Sequence, residues 1–196
     1  TAQSGHSAGP LGMADIFTAL YFNVLKHNPK KPKWDGRDRF VLSNGHICPV
    51  LYATMANIGY FPKKELLTLR KWGSRLQGHP HRTSLPGLET TSGPLGSGLS
   101  QAAGMALAFQ RDKKSNKVFV SLGDGEQDEG NHWEAVMFAG KHKLSNLIVN
   151  RLILKFMINS ERGSGIEHEP LVITNPWEVM PHGSFAEKLG QFNELA

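Results

Sequence analysis

At 196 residues, with 39% hydrophobic and 20% charged content, the chain suits one domain, or one domain with an appendage, and can bury a sizeable core. Its net charge of +5 points to anionic partners. The basic residues are scattered, however, and the one short cluster, Lys30-Lys31-Pro32-Lys33, reads as a solvated turn, which argues against nucleic acid. Cys48 is the only cysteine, which excludes an internal disulfide and fits a reducing compartment, and no segment has the length and purity of a membrane span.

The start, Thr1-Ala2-Gln3-Ser4, has neither an initiator Met nor a signal-peptide pattern. It reads as a trimmed or processed terminus, and a cytoplasmic protein is expected. A turn at Gly9-Pro10-Leu11-Gly12 precedes a helix from Met13 to Val24, with Ile16, Leu20 and Val24 at helical spacing. Arg39 to Leu42 is a short strand leading into Ser43-Asn44-Gly45-His46. Pro49 opens a helix reaching Ile58, where a missing N–H costs nothing. A second, amphipathic helix is expected from Pro62 to Lys71, followed by a turn-rich passage from Gly73 to Gly98. Leu99 to Arg111 is helical and dense in Ala and Gly, which suits close packing on a neighbouring backbone. The apolar run Val118 to Leu122 is a strand, Asn131 to Lys143 a helix, and a further strand starts at Leu147. Strand, turn, helix and strand at this spacing form a βαβ unit, so the fold class is α/β, a doubly wound parallel sheet flanked by helices.

The most informative motif is Gly123-Asp124-Gly125, directly after the strand at 118–122. It offers one carboxylate amid backbone amides, and the glycines let the main chain approach a ligand closely. Hard cations such as Mg²⁺ bridge a carboxylate to substrate phosphates, so the turn reads as a metal-diphosphate site. The alternative is a plain turn whose Asp caps the next helix. Three Gly-His pairs, Gly5-His6, Gly45-His46 and Gly78-His79, sit in turns at the edges of expected elements. At the C-terminal edge of an α/β sheet such imidazoles can bind phosphate, orient a hydroxyl or move protons, although a histidine in a turn is also an ordinary solvated residue. Their spacing of about 35 to 40 residues, with one cysteine, excludes structural zinc. No Gly-x-Ser-x-Gly elbow is present, and Gly93-Pro94-Leu95-Gly96-Ser97-Gly98 lacks the Lys-Ser/Thr ending of a nucleotide-triphosphate loop.

With those blocks in place the chain resembles the N-terminal, diphosphate-binding half of transketolases, in particular the separately encoded N-terminal subunits. The resemblance rests on Ser4-Gly5-His6 with Gly9 to Asp15, on Asp38 to His46, on Gly78-His79-Pro80, on Glu89 to Gly98, and on Gly123 to Ala135. It implies the thiamine-diphosphate-binding fold, with thiamine diphosphate and Mg²⁺ as cofactors. Asp124 would hold the metal, joined by Asn150 and Leu152 of Asn150-Arg151-Leu152, which looks like the family's Asn-x-Leu ending. Gly123, Gly125 and Asn150 would face the diphosphate, while Gly93, Pro94 and Leu95 would hold the aminopyrimidine. His46 and His79 would line the cofactor and the substrate channel. His6 would contact sugar hydroxyls and assist proton transfer, and Glu129 would belong to a carboxylate network between two cofactor sites. The dipole-favoured acid of a first helical turn is the alternative for Glu129.

The implied reaction is transfer of a two-carbon ketol unit between sugar phosphates. The activating glutamate of the family lies in a pyrimidine-binding domain for which this chain has no room. The resemblance therefore implies a partner, the C-terminal, pyrimidine-domain subunit. It also implies a dimer or heterotetramer, and no activity for the chain alone. Residues 150–176 are atypical: Asn150 arrives about four residues early for the family spacing, and Asn159 is a later candidate for the same role. A non-catalytic diphosphate-domain scaffold, or another thiamine-diphosphate synthase of the superfamily, is the alternative function.

Overall fold

The computed structural model describes residues 2–151 and 171–173. Its frame is a sheet of β1 (Arg39–Leu42), β2 (Val118–Leu122), β3 (Leu147–Arg151) and β4 (Leu171–Ile173), in that spatial order. The first three strands run parallel, with Leu42 opposite Ser121 and Ser121 opposite Asn150, so their C-terminal ends share one edge. β4 lies antiparallel on β3, within the stretch the sequence marks as atypical. An antiparallel strand at the edge of an otherwise parallel sheet is common in doubly wound folds.

Alternation along the strands places side chains on two faces, each covered by helices. Phe40, Leu42 and Phe119 pack under α1 (Ala8–Gly12), α2 (Ala14–Ala19) and α3 (Cys48–Ile58) with Met13, Phe17, Tyr21, Leu51 and Met55. On the other face Val41, Val118, Val120 and Leu122 meet α4 (Ser97–Arg111) and α5 (Gly130–Lys141) through Leu99, Ala102, Ala103, Ala106, Ala135 and Ala139. The alanine-rich face of α4 is what lets the helix sit close to the strands. Pro49 lies in the first turn of α3, and the N–H groups of Gly59 and Tyr60 close its end on the Met55 carbonyl at 3.1 and 2.9 Å.

Three expected elements differ. The segment expected as a turn at 9–12 is α1, and the expected helix 13–24 is broken: Met13 separates α1 from α2, and Leu20–Val24 is a π turn in which the Leu25 N–H reaches the Leu20 carbonyl at 2.7 Å. Met13, Phe17 and Tyr21, all buried, recur every fourth residue. That spacing drifts around a 3.6-residue turn, and the wider π turn takes up the drift while Tyr21 stays on Phe17 and Phe40. The expected helix 62–71 is only a 3₁₀ segment, Lys63–Thr68, none of whose residues is buried. Thr68 and Glu65 instead bond Ser74 and Arg75, and the Arg70 N–H reaches the Leu76 carbonyl, so the chain doubles back.

Candidate functional site

Three segments converge at the C-terminal edge of the parallel strands: 43–46 after β1, 91–98 leading into the first turn of α4, and 123–126 after β2. Ser43 continues the β1 ladder, its N–H bonded to the Ser121 carbonyl at 3.0 Å. The Ser92 hydroxyl donates to the Leu42 carbonyl at 2.5 Å, and the Gly98 N–H donates to Ser43 Oγ at 3.1 Å. Approach is so close that glycine is required. A Cβ on Gly98 would lie 2.4 Å from Ser43 Cβ, and one on Gly45 2.4 Å from Ser92 Cβ, with His79 Cδ2 at 3.1 Å and Gly93 N at 3.4 Å. Gly96, at φ +78°, abuts Glu129 and Asn131 at the start of α5.

Glu126 knits these segments together. Its carboxylate is buried and accepts the Gly123 N–H at 2.7 Å on Oε1. Its Oε2 accepts the Gly96 N–H at 3.0 Å and the Ser43 hydroxyl. Asp124 begins the 3₁₀ turn Gly125–Asp128, accepting the Gly125 N–H on Oδ1 at 2.9 Å. The capping alternative for Asp124 is thus realised in the structure. It leaves the ligand reading open, because turning the carboxylate toward a cation frees that amide.

The histidines from distant turns do meet. His6 and His46 lie with ring centroids 4.9 Å apart, and His79 borders Gly45. Partial burial, reinforced by repulsion from His6 and then His79, holds His46 below the ordinary imidazole value, against the pull of Asp124. Beneath the His79 turn, Cys48 Sγ donates to the Gly78 carbonyl at 3.1 Å and Tyr52 Oη donates to that of Gln77 at 3.0 Å. Burial pushes the Cys48 thiol up to about 12. An open cavity of about 560 Å³, lined by Arg70, Gln77, His79, His81, Thr91 and Ser92 among others, adjoins the cluster.

Asn150 occupies the penultimate position of β3, level with Ser121, and its Oδ1 is buried without a hydrogen-bond partner among the described residues. Ser121 Oγ and both polar atoms of Asn44, at the ends of β2 and β1, are orphaned in the same way. Buried polar atoms are rarely left unpaired, and a row of them at one sheet edge marks where a ligand or water belongs. Gly93 and Gly125 open onto space, with nothing within 4 Å of a Cβ placed on either, while Pro94, Leu95 and Glu129 are exposed. Leu152 and Asn159 lie outside the described residues. Among those described, no group of three or more His, Cys, Asp or Glu could hold a metal. A cation here would draw on Asp124, neutral oxygens such as Asn150 Oδ1, and the ligand's own oxygens.

Sequence reasoning missed Glu126, Ser43 and Gly96. The available signal was an acid immediately after Gly-Asp-Gly, where a second carboxylate close to that of Asp124 is unfavourable unless donors surround it.

Residues 1–152 match the family described as "Transketolase, thiamine diphosphate binding domain". The 6-deoxy-6-sulfo-D-fructose transketolase subunit SqwG of Clostridium sp. (strain MSTE9) is 47% identical over 144 residues, covering 74% of this chain and 52% of that protein. One of the subunits of the apulose-4-phosphate transketolase of Phocaeicola vulgatus is 44% identical over 147 residues, covering 75% and 52%. Among solved structures, a transketolase from Leishmania mexicana aligns with a TM-score of 0.75 at 38% identity, over 81% of this chain and 25% of that one. The chain thus spans about half the length of the two subunits it matches.

Proposed function

This chain belongs to the thiamine diphosphate-binding domain family of transketolases, and from that premise we propose that it is the diphosphate-binding part of a cytoplasmic transketolase that needs a pyrimidine-domain partner. The observation that carries the proposal is the sheet edge itself. Asp124 and the orphaned Asn150 oxygen stand at the ends of adjacent parallel strands, beside glycine backbones that open onto space.

The residues present fit the cofactor. Asp124 and Asn150, with Leu152 following in sequence, would hold Mg²⁺, an ion that prefers oxygen ligands. Gly123 and Gly125 would line the diphosphate with their backbone. Gly93, Pro94 and Leu95 offer backbone and an exposed apolar side chain to the aminopyrimidine. When bound, thiamine diphosphate supplies the nucleophilic carbon and electron sink of ketol transfer. The chain's own residues supply orientation and proton handling. His46, kept neutral by burial, can accept a hydrogen bond. His79 lines the open cavity where sugar hydroxyls would enter, and His6 stands against His46.

Glu129 immediately precedes α5 beside Gly96 and, being exposed, suits a carboxylate network completed across a subunit contact. The names of the two subunit relatives contain a sulfonated and a phosphorylated sugar. An anionic ketose or aldose is therefore the substrate class assigned here, with a dimer or heterotetramer as the active assembly.

The test is titration of thiamine diphosphate into the full chain with and without Mg²⁺, followed by ketol-transfer assay with a pyrimidine-domain partner. We expect Mg²⁺-dependent binding that Asp124→Asn abolishes, and turnover only with the partner. Binding indifferent to both Mg²⁺ and Asp124 would refute the reading in favour of a scaffold.

A further inference from the structure

Glu126 is 1% exposed and has no ion pair among the described residues. Burying a carboxylate is costly unless hydrogen-bond donors replace its hydration. The three donors here are Gly123 N–H, three residues away, Gly96 N–H, 30 residues away, and the Ser43 hydroxyl, 83 residues away. An acid that served only its own turn would draw on that turn. This one draws on all three segments assigned above to the cofactor: Ser43 leads into His46, Gly96 follows Gly93-Pro94-Leu95, and Gly123 precedes Asp124.

We propose that Glu126 is a positioning residue that sets the spacing between the metal-diphosphate turn and the aminopyrimidine loop, so that thiamine diphosphate meets both at once. The inference rests on the cofactor reading above. Its chemical content lies in how the two oxygens divide the donors. Oε1 serves the Gly123 backbone and Oε2 the Gly96 backbone, and neither N–H can rotate to become an acceptor. Glutamine keeps the volume but offers one acceptor oxygen and one NH₂ group. Whichever way it turns, a fixed N–H on one loop faces another donor and that loop moves away. The Ser43 hydroxyl can rotate to accept, so it does not relieve the conflict.

The experiment measures thiamine diphosphate affinity at saturating Mg²⁺, by calorimetry, together with thermal unfolding of the same samples. The variants are Glu126→Gln and, as a control for general destabilisation, Leu144→Ala. Leu144 is fully buried in the turn before β3, at the opposite edge of the sheet. Glu126→Gln is expected to weaken affinity about 10- to 100-fold, the scale seen for residues that orient direct ligands. Leu144→Ala is expected to lower the melting temperature as much or more and leave affinity unchanged. Equal affinities for wild type and Glu126→Gln, or a parallel loss in Leu144→Ala, would overturn the proposal. Wild-type protein that binds no thiamine diphosphate would overturn the cofactor reading and this inference with it, which separates the two failures. Should Glu126→Gln not fold, Ser43→Ala carries the test. It removes one donor of three and should weaken affinity about 2- to 10-fold; unchanged affinity there would equally overturn the proposal.

Discussion

Gly98→Ala and Gly104→Ala each add one methyl group to α4, yet the structure assigns them opposite signs. At Gly98 the new Cβ would lie 2.4 Å from Ser43 Cβ and Oγ and 2.8 Å from Ser43 Cα, the last a backbone atom that no rotamer change can move. Relief requires α4 to lift from the end of β1, which weakens the Gly98 N–H bond to Ser43 Oγ and disturbs that hydroxyl's bond to Glu126. Overpacking of this kind costs about 1–3 kcal/mol. At Gly104, exposed in the interior of the same helix, nothing lies within 4 Å of the added carbon. There only the backbone-entropy term acts, and alanine stabilises by about 0.5–1 kcal/mol. For a chain of this size about 1 kcal/mol moves the melting temperature by about 2–4 °C. Circular dichroism during heating should therefore show Gly104→Ala melting a few degrees above wild type and Gly98→Ala below it. Melting shifts of the same sign for both variants would refute the close approach of α4 to Ser43, and with it the convergence of the segments 43–46, 91–98 and 123–126.

The Arg37–Glu89 ion pair, each side chain about nine-tenths buried, joins the approach to β1 to the turn-rich passage. Among the described residues, Glu89→Ala leaves the guanidinium buried with only the Asp38 carbonyl, and should destabilise by about 3–5 kcal/mol in urea titration. His46 carries a pKa depressed below its unfolded value, so between the two values the unfolded chain binds more protons. That contribution is whole above the unfolded value, near about 6.5, and is lost as pH falls through the folded one. Melting temperature should fall on acidification below about pH 6.5, and His46→Gln should flatten that slope. Cys48, its thiol pushed up to about 12 by burial, should resist aromatic disulfide reagents at mildly alkaline pH in the folded chain and react fully in denaturant; prompt native labelling would contradict its packing against Gln77 and Gly78.

Local chemistry alone determined much of this protein. Val118 to Leu122 is apolar but for Ser121 because both faces of a central parallel strand are buried, and the glycine turn that follows must sit at the ligand-binding edge. The Pro at the start of α3 and the Ala-rich face of α4 announced those helices for similarly local reasons, as did the blocks carrying the family resemblance. Where local signals misled, a tertiary demand had overridden them. Met13, Phe17 and Tyr21 follow the core rather than an ideal helical period, and the segment after Pro62 buries too little to complete its helix. Only the folded chain shows which distant groups meet. Nothing in one sequence links Ser43 to Glu126 or Arg37 to Glu89, since a hydrogen bond or ion pair between loops leaves no periodicity to read. The antiparallel β4 and the contact of His6 with His46 are of the same kind. The glycine, histidine and acidic turns were legible in the chain, but their common address was settled by sheet register and by one buried carboxylate.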